Sequence, residues 1–249
     1  KRHATMIQSS ASKLKIQAFG NAIVYVDGKP STWQTQAVRE LFFYFLRMHK
    51  SLTKEQIGEL LWPDKYEPSK LNLRFKNEMY RLRKVVGQNA IKYENDLYSF
   101  NHDIDYEYDV EDFEAFIARA KSTQDVKQKI IFYRKAVDLV QGPYLSDIYS
   151  NWAIEERGRL EQIYLRALYE LGDLYYKDGQ LENSISIFEK VIESDPIEEK
   201  AYQAAMKVYH RLGQRGSVVR IYQKYIEVMK KYDLSPSDDM EDLYRKLTK

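Results

Sequence analysis

Residues 69–86, SKLNLRFKNEMYRLRKVV, decide how the amino-terminal part of the chain folds. At about 100° per residue, Leu71, Phe75, Met79, Leu82 and Val86 fall within an arc of roughly 80°, which makes one side of an amphipathic helix a core-facing stripe. The opposite side carries Lys70, Leu73, Asn77, Tyr80, Arg81 and Lys84, with Arg74, Lys76 and Arg83 on its flanks and Glu78 as the single acid of the segment. The expected outward surface is cationic and studded with polar side chains. Gly87 ends the helix, and residues 91–100, interrupted by Glu94, Asn95 and Asp96, have the pattern of a hairpin. A helix followed directly by a hairpin suggests a winged helix.

Upstream, residues 13–19 (KLKIQAF) alternate in the strand pattern and residues 22–26 form a second short run. Asp27-Gly28-Lys29-Pro30 supplies turn chemistry before Thr32 and Trp33. A small antiparallel sheet is expected there. Between Gln36 and His49, Val38, Leu41, Phe42, Phe45 and Leu46 cluster as the buried side of a helix. Ser51 and Leu52 turn the chain, and Thr53 opens TKEQIGELLW with Gln56 three residues on, the spacing of a capping box. Trp62-Pro63-Asp64 closes this short helix, and a loop over 63–68 leads into the basic helix. The order is sheet, three helices, hairpin; in winged helix-turn-helix proteins the third helix enters the major groove and the hairpin lies against the backbone or minor groove.

Formal charge over all 249 residues is only +2, yet it is divided. Residues 1–104 hold 17 basic and 10 acidic side chains, +7, whereas residues 105–249 hold 22 and 27, −5. Only the first part is therefore expected to meet a polyanion. The absence of cysteine excludes disulfides and thiolate chemistry and fits a reducing cytoplasm. No stretch approaches 18 apolar residues, so no membrane partner is expected. Residues 1–12, polar and serine-rich, are read as a linker or the edge following an upstream domain.

Beyond Asn101 the composition turns acidic and tyrosine-rich, and the helical pattern takes over; the stretch DIDYEYDVED at 103–112 marks a boundary. A repeat follows. At an offset of 34 residues, Leu168 matches Tyr202, Tyr175 matches Tyr209, Gly179 matches Gly213, Phe188 matches Tyr222 and Val191 matches Tyr225. Leu171-Gly172, Tyr175, Ser184, Phe188 and Pro196 fall at tetratricopeptide spacings, while the second copy has Ala205-Met206 in place of Leu-Gly. A degenerate earlier unit spans residues 110–143. About three helical pairs stacked as a small solenoid are expected, and an acidic groove between them suits a basic partner. The fold class is mainly α with a small β component: a linker over 1–12, a winged helix-turn-helix domain over 13–102, and an all-α tetratricopeptide-like domain over 103–249.

Signatures of catalysis are missing, including the phosphate-cradling loops, H-E-x-x-H and G-x-S-x-G. The four histidines, His3, His49, His102 and His210, show no ligand spacing. No enzyme, metal or cofactor is expected. The candidate residues are instead those of a DNA reader. Asn77 and Arg81 lie one turn apart, where an amide pairs with adenine and a guanidinium with guanine. Leu73, Arg74 and Tyr80 join them as base-edge candidates. Lys70, Lys76, Arg83 and Lys84, with Lys92 and Tyr93 of the hairpin, are candidates for phosphate contact, which adds affinity without sequence information. Trp33 and Trp62 are read as structural. The competing reading is an interaction scaffold in which both the winged helix and the repeats bind protein.

Residues 13–100 resemble the winged-helix effector domain of response regulators in Leu60-Leu61-Trp62-Pro63 and in Tyr80-Arg81-Leu82-Arg83-Lys84. Residues 105–248 are similar to the bacterial transcriptional activator domain in Asp109-Val110 with Phe113, Gly142-Pro143-Tyr144-Leu145, Trp152-Ala153, Glu155-Glu156-Arg157, Leu160-Glu161 and Leu234-Ser235-Pro236. Together they resemble the Streptomyces antibiotic regulatory protein family of transcription activators. The resemblance implies binding to promoter double-stranded DNA, often at direct repeats, with homodimers on DNA and recruitment of RNA polymerase in the bacterial cytoplasm. It implies that Asn77 and Arg81 read bases while Arg83 and Lys84 hold the backbone. Family members carry an upstream receiver domain or a downstream ATPase domain, neither of which is in this chain, so a two-component phosphorelay switch would lie outside it. Lys76-Asn77-Glu78 replaces the family's commoner run, so a target sequence does not transfer, and the short wing has no arginine for minor-groove insertion.

Overall fold

The structure, a computed structural model, describes residues 13–62 and 68–249. The linker expected over 1–12 and the loop residues 63–67 lie outside the described residues. The chain forms two compact units: the residues up to Asp109 together with Ser146–Ile148, and Val110–Leu145 with Tyr149–Lys249.

The first unit begins with β1 (Leu14–Gln17), β2 (Ile23–Val26) and β3 (Lys29–Pro30). Asp27 and Gly28 make the two-residue turn between β2 and β3, both at positive φ, as the Asp-Gly pair anticipates. Next come α1 (Gln36–Met48) and α2 (Lys54–Leu61). Thr35 caps α1 by accepting from the Val38 amide, and Thr53 and Gln56 complete the capping box expected for α2. α3 (Pro68–Val86) is followed by a 3-10 turn and the hairpin of β4 (Ile91–Glu94) and β5 (Leu97–Phe100). Asn95 and Asp96 both take positive φ in its two-residue loop. Mutual backbone hydrogen bonds between Leu52 and Tyr98, 2.9 and 2.8 Å, fasten the hairpin to the α1–α2 connection.

Residues 106–108, which the sequence places in the helical part, are instead β6 (Tyr106–Tyr108). It pairs in parallel with β1, so the sheet has the order β3-β2-β1-β6 and is mixed, not purely antiparallel. The carboxylate of Asp109 accepts from the amides of Ala18 and Phe19 at 2.8 and 3.0 Å and closes the end of β1. Buried Arg39 donates to both carboxylate oxygens of Asp147, at 2.5 and 3.1 Å, and to the Ala22 carbonyl. Phe42 lies at the centre of the core, its ring against Trp33, Phe43 and Phe100.

The second unit is helical: α4 (Asp109–Ser122), α5 (Val126–Leu139), α6 (Asn151–Lys177), α7 (Leu181–Ser194), α8 (Glu199–Arg211), α9 (Arg215–Lys231) and α10 (Asp238–Thr248). Three helical pairs and a closing helix match the repeat expected from the sequence. Three of the five pairs offset by 34 play equivalent parts, while Tyr209 and Tyr222 are half-buried where Tyr175 and Phe188 are buried. Leu168 and Tyr202 are fully buried, as are Val191 and Tyr225. Gly179 and Gly213 turn the chain after α6 and α8 at φ 78° and 72°, a conformation that favours glycine. Gly172 lets α7 approach closely: a Cβ there would sit 2.8 Å from the Phe188 ring. Ser184 then donates to the Gly172 carbonyl at 2.8 Å. In the second copy, Met206 and Val218 fill the corresponding space as buried apolar side chains.

Candidate nucleic-acid interface

The five positions expected to face the core, Leu71, Phe75, Met79, Leu82 and Val86, are all buried. Their stripe packs α3 against α1 and α2 and leaves the opposite face open. On that face Leu73 is 69% exposed and Tyr80 66%. Lys70, Lys76, Asn77 and Lys84 are exposed as well.

Arg74 and Arg81 are not loose. The Arg74 guanidinium lies 4.2 Å from the ring centre of Trp62, a cation–π contact that orients its plane. Trp62, read as structural, is thus also a platform for a candidate reader. Arg81 Nη1 donates to Glu78 Oε1 at 3.0 Å. Glu78 is only 7% exposed, and its other oxygen accepts from the Thr35 hydroxyl at 3.2 Å. The one acid of the helix therefore turns inward. A carboxylate buried this far needs partners, and the two it has are the cap of α1 and the guanidinium of Arg81. The three-residue spacing of Glu78 and Arg81 carries this signal in the sequence; the part played by Thr35 depends on packing.

Arg83 is half-buried. Its Nη2 reaches the Ile91 carbonyl at 3.4 Å, joining α3 to the wing, and its buried Nε has no acceptor among the described residues. Lys92 pairs with Asp103, and that hydrogen bond raises the Lys92 pKa and lowers that of Asp103. The exposed Tyr93 donates to Asp96 at 2.7 Å, which pushes its hydroxyl pKa up to about 12, and its ring stacks 4.5 Å from Tyr98. A hollow of about 190 Å³ separates α3 from the hairpin, with Lys76, Tyr80 and Arg83 on one side and Tyr98 on the other. The structure thus brings the α3 candidates onto one surface, whereas Lys92 and Tyr93 are engaged within and beside the wing.

The histidines separated in sequence are not all separated in space. His49 and His102 stack with ring centres 4.4 Å apart. Burial first, then the neighbouring His49, lowers the His102 pKa from its ordinary 6.5.

A basic helix held on a three-helix core with a hairpin behind it, followed by stacked helical pairs, defines a winged-helix protein with a helical-repeat domain. Comparison with known families then identifies it: residues 108–248 match the bacterial transcriptional activator domain, and the chain belongs to that family of transcription regulators. Regulatory protein AfsR of Streptomyces coelicolor is 22% identical over 219 residues, covering 86% of this chain and 22% of AfsR. The solved structure of Mycobacterium tuberculosis EmbR in complex with a low affinity phosphopeptide superimposes with a TM-score of 0.73 at 15% identity, over 95% of this chain and 65% of that one. The chain thus spans about a fifth of AfsR and somewhat under two thirds of EmbR. These matches support the resemblance to the Streptomyces antibiotic regulatory protein family. Among the described residues, no helix is long and apolar enough to cross a membrane.

Proposed function

We propose that the chain binds double-stranded promoter DNA sequence-specifically and activates transcription, with α3 in the major groove. The observation that carries this reading is the open face of α3, where Asn77 is exposed and Arg74 and Arg81 are held in place by Trp62 and Glu78. A guanidinium already oriented loses little further freedom on contacting a base, and Arg to guanine and Asn to adenine are the pairings that geometry favours. Leu73 and Tyr80 add apolar contact with thymine methyls and sugars. Lys70, Lys76 and Lys84 hold phosphates. Arg83 braces the wing while remaining near the backbone, and Lys92 and Tyr93 reach phosphate only by exchanging their present partners.

The helical-repeat unit serves dimerisation, RNA polymerase contact or the reception of a signal, and the chain works in the bacterial cytoplasm, under an upstream receiver domain where one is present. Direct repeats in the promoter would seat two copies side by side. Leu73 and Tyr80 also favour a second reading, a protein-binding winged helix, because two large apolar side chains stand exposed on the same face. Selection from random duplexes separates the two. A DNA reader enriches one motif and protects it from cleavage; a protein-binding module enriches none.

A further inference from the structure

The repeat unit is acidic as a whole, and its groove was expected to suit a basic partner. One of its hollows has the opposite character. A cavity of about 660 Å³ opens between α4, α5, α6 and the start of α8. Lys121, Lys129, Arg166, Lys177 and Lys200 converge on it from those four helices. Against these five cations stand two carboxylates, Glu170 and Glu198, and Glu198 already accepts from the Lys200 amide at 3.2 Å as the cap of α8.

None of the five cations makes an ion pair among the described residues. Other arginines of the same unit do: Arg159 with Glu114 and Glu156, Arg134 with Asp138, Arg245 with Glu241 and Asp242. Gathering unpaired like charges around one concavity is unfavourable, and the repulsion is relieved when an anion enters. The walls between the charges are apolar, formed by Ile117, Ile163 and Leu174 with the buried ring of Tyr133. Tyr169 also lines the cavity, with its hydroxyl buried beside Glu198. A hollow of this size falls within the range of about 300–1,000 Å³ of small-molecule sites, which combine apolar walls with a few polar groups.

We propose that this cavity is the binding site of an amphipathic organic anion, a small molecule bearing a carboxylate, sulfonate or phosphate on an apolar body. Lys129 of α5 and Arg166 of α6 serve as the principal charge partners, and the apolar walls take the body of the ligand. The site lies wholly within the repeat unit and does not depend on α3 binding DNA.

Titration of the full chain with anilinonaphthalene sulfonate, an amphipathic fluorescent anion, tests it. Saturable binding is expected, with decanoate displacing the probe and decylamine, its cationic counterpart, leaving it in place. The double variant Lys129→Glu, Arg166→Glu should weaken probe binding by roughly tenfold or more. Should circular dichroism show that variant unfolded, the milder Lys129→Gln must still lower affinity measurably. Absence of saturable binding, equal displacement by decylamine, or unchanged affinity in folded charge variants would each overturn the proposal. Displacement by an oligoglutamate peptide but not by decanoate would also overturn it, handing the cavity to an acidic protein segment instead.

Discussion

The arginines of α3 in the winged-helix unit and the cations around the cavity of the helical-repeat unit are held in opposite ways. Around α3, Arg74 rests on Trp62, Arg81 on Glu78 and Arg83 on the Ile91 carbonyl, so the charges are held by their own unit. In the repeat unit, the five cations around the cavity have no carboxylate partner among the described residues. Packing divides the units as well. α3 commits one stripe to the core and leaves the rest for contact, while the repeat helices use tyrosines and small residues to bury their neighbours. The difference teaches that substitutions in the repeat core should act on stability, and substitutions on the open face of α3 should act on recognition.

The largest expected effect lies in the repeats. Met206→Ala empties a fully buried position and should cost about 2–5 kcal/mol of stability. Gly172→Ala, at the equivalent place one repeat earlier, pushes a methyl into the Phe188 ring and should cost about 1–3 kcal/mol by overpacking. Urea unfolding measures both, and duplex affinity of the folded protein should not change with either. An affinity change without a stability change would break the contrast between the units.

Glu78→Gln sharpens the other side of it. The amide keeps the shape but loses the charge that holds Arg81, so discrimination between bases should fall by less than the ~1–3 kcal/mol that a lost bidentate pair costs. Competition between the selected site and single-base variants would show this. Lys84→Ala should weaken binding to all duplexes alike and reduce the salt slope by about one. An unchanged slope would remove Lys84 from the phosphate contacts.

The smallest effect is one of pH. His102 titrates below 6.5 in the folded chain, so between that lowered value and 6.5 the unfolded chain binds more protons. Stability contributed by the neutral ring is complete above 6.5 and declines as pH falls through the window. His49, Tyr106, Phe100 and Asp103 surround the ring and set its size. Urea midpoints measured from about pH 7.5 down to 5.5 should fall less for His102→Phe than for the natural chain.

Local patterns carried much of the fold. The buried stripe of α3, the Thr53–Gln56 capping box, the Asp-Gly and Asn-Asp turns and the 34-residue offset all rest on neighbours within a few turns of chain or on a repeated spacing. β6 escaped because three residues are too few to establish a period and their partner, β1, lies some ninety residues away. The Arg39–Asp147 pair spans 108 positions and leaves no local mark. At the candidate site, the outward face of α3 was legible, but the supports of Arg74 and Arg81 were only partly so. Glu78 stands at pairing distance from Arg81, yet its other partner, Thr35, lies far away in sequence at the start of α1. The cationic cavity was hidden because net charge averages over a surface, and its five residues meet only when four helices stack.

Affinity of the wild-type chain for its selected duplex, measured from about 50 to 200 mM salt beside Arg81→Ala, tests the central claim most directly. The expected result is a steep loss of wild-type affinity with salt, and for Arg81→Ala a further loss of roughly 1–3 kcal/mol on the selected site with relaxed preference at one base pair. Duplex binding that is absent or indifferent to salt, or an Arg81→Ala protein as selective as the wild type, would contradict it.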